Sequence, residues 1–448
     1  MAGLVIIGMD FGMALTKFAV AIQPPNQSSM ERVVVAFRDG MDRQRFHLRT
    51  GVWTNADSLS IDEFELTDPN SFHLGLKHQL LTAWSDVDAE LVPDAYVTEC
   101  AFFAVASALA RARRAVVAHL DRQYPGAVWN WVVNAATPSD HGAREISEVR
   151  EAQMNALVAR ALAYVERHPD FAGALPIRLL RSVVEEAARL VAAGDAAKRV
   201  TILRESMAAA LFALQSDDAE RGTWLTVDVG ALTVDTSLFF FSPQEEFRVA
   251  AYYAMASRVG GMQAVALKLA AHAQQPEHLA HELLESVDQD TVEATAEFKQ
   301  LTKTVRDAVA DTMKQAWQAD NAYRHLFEEL PEGRRCRFSL LLVGGGSASP
   351  VVQSYLRQWR WHAFSHLPPT VNVARIPQTF GVLWANGVVD HTIHPRPVDH
   401  PILAIACGLA QQPWEMPSFD NLGAGELGGR VPMVGMQLQP NEYWWGGN

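Results

Sequence analysis

The chain has 448 residues, 49% of them hydrophobic and 20% charged, with a formal net charge of −13. That length supplies more than one sizeable core and excludes a single small domain. The acidic balance, with no Lys/Arg stripe, excludes a binder that neutralises nucleic-acid phosphates and fits small-molecule or protein partners.

Cys100, Cys336 and Cys407 lie too far apart for metal-ligand spacing or a disulfide framework. Each reads as a small apolar packing residue, and their scarcity fits a reducing compartment. The opening MAGLVIIGMDFG lacks the basic start and cleavage site of a secretory signal. The longest apolar run, Cys100 to Ala110, is too short to span a bilayer. A cytoplasmic protein with no membrane segment is expected.

Along the chain, Leu4 to Met9, Phe18 to Ile22 and Arg32 to Phe37 read as strands, with the turn DFGMALT between the first two. Helical period follows over Ala101–Leu120 and Ile146–Val165, and the strand VWNWVVN lies between those helices. A further helix, Ile177 to Ala193, ends at Gly194. A second cycle then begins. Val200 to Leu203 is a strand, Ser206 to Leu214 a helix, and Trp224–Val229, Val234–Phe240 and Arg248–Tyr253 are strands. Helical pattern occupies most of Met262–Phe327, and the strand Phe338–Val343 enters a glycine turn. From about Gln411 the sequence turns to Pro, Gly and aromatics without period, an irregular tail.

Two segments repeat one pattern. IIGMDFGMALTKFAVAI and WLTVDVGALTVDTSLFF are each strand, Asp-x-Gly turn, strand, and each belongs to one cycle. In the first, Asp10 can accept from magnesium-bound water, Gly12 lets the backbone turn toward a phosphate, and Lys17 adds a point charge. In the second, Asp228, Gly230 and the Thr233 hydroxyl are placed for the same tasks. In isolation either turn also fits an ordinary β-hairpin. The third element, LLLVGGGSASPVVQSYL, runs a strand into Gly344, Gly345 and Gly346. Ser349 then suits an N-cap and Pro350 a first helical position, a unit that lets backbone approach a phosphate or a flat ligand. GAGELG at 423–428 matches a dinucleotide fingerprint without the strand and helix it needs, and no Walker loop occurs. Lys299 and Lys303 read as a solvated helix face.

Taken together and in this order, the three motifs resemble the superfamily of actin, the sugar kinases and the seventy-kilodalton heat-shock chaperones. The first two look like its phosphate loops and the third like its adenosine segment. VTILRESMAAALFAL is similar to the chaperone segment that joins the lobes, and DHPILAIACGLA to the closing helix. The resemblance covers most of residues 1–410. It implies an α/β protein of two lobes, each a mixed sheet with flanking helices, with ATP or ADP and Mg²⁺ in the cleft. Lobe I would span 1–200, lobe II 201–410 and the tail 411–448.

Carried over, Asp10 and Asp228 serve the metal through its waters, and Gly12, Thr16, Lys17 and Gly230 shape the phosphate loops. Thr233 and Glu205 lie near the attacking water, so Asp10, Glu205, Asp228 and Thr233 form the catalytic set. Gly344, Gly345, Gly346 and Ser347 face the adenosine. Lys17 is spaced from Asp10 as in actin and plasmid-partitioning filaments, and Lys77 falls roughly where the chaperones carry a catalytic lysine. Met13, Ala14, Ala231 and Leu232 depart from the chaperone loops. Losing a positioned donor there costs about a hundredfold or more in rate, so hydrolysis is expected to be slow or lost. The chaperone's client-binding domain has no counterpart. The expected function is a chaperone-like, ATP-dependent open/closed switch acting on a protein partner. An actin-like filament former and a catalytically dead scaffold are the alternatives.

Overall fold

The computed structural model describes residues 2–38, 44–62, 66, 71–84, 95–138, 144–171, 173–214, 222–243, 248–274, 289–318, 337–358, 370–397 and 399–411. They form an α/β protein with mixed sheets, divided into two compact units.

The first unit takes the described residues of Met1–Pro138, Gly142–Phe212 and Arg375–Pro413. Strands β1 (Gly3–Phe11), β2 (Leu15–Gln23) and β3 (Glu31–Arg38) form an antiparallel meander. The short strands β4 (Gln44–Arg45) and β5 (Leu48–Arg49) lie beside β3 and β2. Next come β6 (Gly51–Thr54), β7 (Ser58–Ser60) and β8 (Ser71–Leu74), members of a small separate sheet. Helices α1 (Leu76–Trp84) and α2 (Ala95–Gln123) lead to β9 (Trp129–Thr137), parallel to β1. After α3 (Arg144–Arg167), β10 (Leu175–Pro176) joins the small sheet. Then α4 (Ile177–Ala193) leads to β11 (Val200–Arg204), parallel to β9, and α5 (Glu205–Leu214) follows.

The second unit takes the described residues of Ala213–Ala374. Strands β12 (Gly222–Val229), β13 (Thr233–Pro243) and β14 (Arg248–Val259) form another antiparallel meander. Helices α6 (Gln263–His272), α7 (Gln289–Ala294) and α8 (Ala296–Gln318) follow. Strand β15 (Arg337–Val343) lies parallel to β12, and α9 (Pro350–Gln358) precedes β16 (Thr370–Val373), parallel to β15. The sheet order is β14-β13-β12-β15-β16. In the first unit the run β3-β2-β1-β9-β11 has the same order and the same strand directions. Each sheet is thus an antiparallel meander whose first strand is also the edge of a parallel set.

The chain then returns to the first unit. Strand β17 (Phe380–Trp384) pairs parallel with β3, β18 (Val389–Asp390) pairs with β17, and α10 (His400–Leu409) closes the described chain. The units therefore do not divide at residue 200, and residues 375–411 do not belong with the second. Strand pairing to β9 and β3 holds β11 and β17 in the first sheet regardless of their place in sequence. Residues 412–448, including GAGELG and almost all of the expected tail, lie outside the described residues, as does Cys336.

Burial explains the continuous apolar runs. Val5, Ile7, Met9, Phe18, Val20 and Ile22 belong to a core that includes Phe102, Phe103 and Leu109 of α2. The other face of β1 meets α10 closely. A Cβ added at Gly8 would lie 2.3 Å from the Ala406 carbonyl oxygen. On α10, a Cβ at Gly408 would lie 1.8 Å from the Ala208 carbonyl oxygen of α5. The Asn134 side chain of β9 donates to the carbonyls of Leu409 and Gln411, satisfying the helix end. Among the described residues no helix is long and apolar enough to cross a membrane.

Because the obstacle at Gly408 is backbone, it cannot rotate away. Gly408→Ala is expected to lose about 1–3 kcal/mol by overpacking, read as a thermal midpoint lower by roughly 2–4 °C per kcal/mol. An unchanged midpoint would contradict the close approach.

Candidate functional site

In the first unit, Asp10 sits near the end of β1, directly opposite Lys17 of β2. The Lys17 ammonium donates to Asp10 Oδ2 at 2.6 Å, and both side chains are buried. Such a charge-assisted bond holds both groups in one geometry. The Gly12 N–H donates to the Leu15 carbonyl. A Cβ at Gly12 would lie 2.6 Å from that carbonyl oxygen and 3.0 Å from Lys17 Nζ, so glycine is what lets the ammonium lie against the turn. The Thr16 hydroxyl is buried and hydrogen-bonded to that of Thr50 at 2.7 Å. The Thr50 N–H donates to the Ala14 carbonyl. Thr16 therefore ties the turn to the segment that follows β5.

The segment before it, from β4 through β5, is basic. Leu15 pairs with Arg49, and the half-buried His47 lies between β4 and β5. Burial, followed by the positive charges of Arg45, Lys17, Arg49 and Arg396, pushes the His47 imidazole down to about 3. The Leu15–Arg49 pairing sets Arg49 beside the Asp10 turn.

A second pair joins residues far apart in sequence. Lys77, near the start of α1, is fully buried, and its Nζ donates to Glu205 Oε1 at 2.6 Å. Glu205 opens α5, where the helix N-terminus favours its carboxylate.

In the second unit, Asp228 of β12 lies opposite Asp235 of β13, and the Gly230 N–H donates to the Thr233 carbonyl. Asp10 and Asp228 hold the same place in their hairpins, and Lys17 is matched by Asp235. The Thr233 hydroxyl donates to Asp235 Oδ2 at 2.8 Å. The turn is stitched from behind: the backbone N–H groups of Gly260, Gly261, Met262 and Gln263 donate to the carbonyls of Leu232, Gly230 and Ala231. Carbonyls that would repel an anion are thereby engaged. A Cβ at Gly261 would lie 2.4 Å from the Gly230 oxygen, so this contact needs glycine. The Gly-Gly pair between a strand and a helical pattern was its sequence signal, and motif reading alone missed it.

The glycine triplet meets the same hairpin. Gly344 has φ +83, and a Cβ there would lie 1.8 Å from Asp228 Oδ1. Gly346 packs against Val229 and Met262, whereas Gly345 is exposed, with no atom within 4 Å of an added Cβ. Ser347 is fully buried; its hydroxyl donates to the Val343 carbonyl at 2.6 Å, and its own carbonyl accepts from Gln353. Its side chain thus fixes the bend. Pro350 begins α9, and the Ser349 carbonyl accepts the first-turn N–H of Gln353. Lys299 and Lys303 are exposed on α8.

The structure therefore groups Asp10, Gly12 and Lys17 at one turn and Glu205 with Lys77 in the same unit. In the other unit it groups Asp228, Gly230, Thr233 and Gly344. No protein-family model matches the chain, and no curated protein is significantly similar to it.

Two measurements check these environments. Glu205→Ala leaves the Lys77 ammonium buried without its partner and is expected to cost about 3–5 kcal/mol. Adding Lys77→Met should restore much of that loss, and simple additivity in urea unfolding would contradict the pairing. For His47, whose folded pKa lies below its unfolded value of about 6.5, the contribution to stability is complete above pH 6.5. It is lost as pH falls from there toward 3, by at most about 1.4 kcal/mol per unit. Urea unfolding between pH 7 and 5 should show a smaller loss for His47→Gln than for the wild type.

Proposed function

We propose that the chain is a chaperone-like ATP-binding protein of the actin-like ATPase fold, whose nucleotide state controls a protein partner. The observation that carries this reading is the repeated sheet. Two units share one strand order, and each ends its central strand with an aspartate and a glycine turn in the same register.

The residues present fit Mg–ATP. Magnesium keeps several waters and suits carboxylates as acceptors from its water shell. Asp10 and Asp228 would accept from those waters. When bound, the ion supplies charge neutralisation on the phosphates. Lys17 and Arg49, both at the Asp10 turn, would supply positive charge toward a phosphate. The exposed Gly345 offers open backbone beside the Asp228 turn. Glu205, held by Lys77, would orient a water. Side chains at Met13, Ala14, Ala231 and Leu232 replace smaller or hydroxyl-bearing loop residues, which supports slow turnover. A cytoplasmic setting rests on Cys100 and Cys407, both buried and unbridged.

Thermal unfolding with and without Mg–ATP tests the proposal. Wild type should gain about 2.7 kcal/mol of stability at a ligand concentration one hundred times Kd, and Asp10→Ala combined with Asp228→Ala should abolish the gain. No shift in wild type at millimolar Mg–ATP would overturn it. Phosphate release from the same samples separates an active ATPase from a silent switch.

A further inference from the structure

At the opposite end of β2 from the Asp10 turn, the first unit holds a concavity. Strand β2 is nine residues long, roughly 30 Å at 3.3 Å per residue, so the two places are well separated. The concavity has a volume of about 600 Å³, within the range of small-molecule sites. It is walled by the β2–β3 connection, the last turn of α2 and the β17–β18 hairpin.

Two arginines line it. Arg32 lies in β3 between Ala21 of β2 and Phe380 of β17, in the body of the sheet. Its Nε is buried and has no hydrogen-bond partner among the described residues. Arg122, on the last turn of α2, spends one N–H on the Asn386 carbonyl at 3.0 Å. Neither makes an ion pair with a described residue, although the chain is acidic overall. The carboxylate in the same cleft does not serve them. Glu31 Oε2 accepts from His119 Nε2 at 3.1 Å, and Oε1 lies 3.5 Å from His391 Nε2. The His119 bond holds the Glu31 carboxyl below the usual carboxylate range. Tyr124 adds a phenol to the wall, its ring set edge-on against Trp129.

A half-buried guanidinium without a counter-ion is costly, and Arg32, facing one cavity with the exposed Arg122, implies a negative charge between them. We propose that this cleft binds a small organic anion bearing a carboxylate or phosphate, gripped by Arg32 and Arg122. Guanidinium groups match both oxyanions in a planar, two-point fashion. This site is independent of the nucleotide reading.

Calorimetric titration of the full chain with citrate and, separately, with inorganic phosphate tests it, with sodium chloride at matched ionic strength as the control. Saturable binding of either probe is expected, and the stronger one names the oxyanion class. Arg122→Ala, at an accessible side chain, should weaken binding by about tenfold or more, the loss of a hydrogen bond to a charged group. Arg32→Gln should do the same. Lys17→Met should leave citrate binding unchanged, which separates the cleft from the Asp10 turn. The proposal is overturned if neither probe binds saturably, if Arg122→Ala binds as wild type does, or if Lys17→Met abolishes binding of both.

Discussion

A strand paired on both sides and covered on both faces has no place along its length for a charge. In β1 this excludes polar side chains from Val5 through Met9, all of them buried, including the glycine that receives α10. The first ionisable group can stand only where the strand runs out, and Asp10 stands there. The same constraint acts on β12, whose single carboxylate, Asp228, comes one residue before its end. Burial of the strand thus decides where chemistry can be placed, and the Gly12 and Gly230 turns follow directly from that ending.

The two hairpins share geometry but differ in charge. Opposite Asp10 stands a lysine, so the first turn is internally neutralised, with Arg49 beside it. Opposite Asp228 stands another carboxylate, and like charges facing each other across a ladder are unfavourable. The second turn relieves part of this by directing the Thr233 hydroxyl onto Asp235 and by engaging the turn carbonyls with Gly260–Gln263. One backbone plan thus carries two charge arrangements, a carboxylate paired to an ammonium in one turn and two facing carboxylates in the other.

The elements were legible wherever the pattern was local. Helix α4 begins and ends as its periodicity states, and the strands flanking both Asp-x-Gly turns lie where the apolar runs put them. What escaped local reading depends on partners distant in sequence. Strand β17 pairs with β3 more than three hundred residues earlier, so nothing in its own residues assigns it to the first sheet. Lys77 and Glu205 are separated by 128 positions, and neither segment signals the other. The Thr16 hydroxyl has the right chemistry for a phosphate contact, yet Thr50, brought in by β5, takes it.

The return of the chain to its first unit has a consequence for biosynthesis. The β1 surface around Gly8 is covered by a helix whose contact residue, Ala406, lies about four hundred positions later. At roughly 5–20 residues per second of translation, that apolar surface waits on the order of 20–80 s for its cover. The described residues of the second unit all lie between 213 and 374. On the ribosome, the first unit's sheet therefore stays open at β1 until the chain has returned from the second.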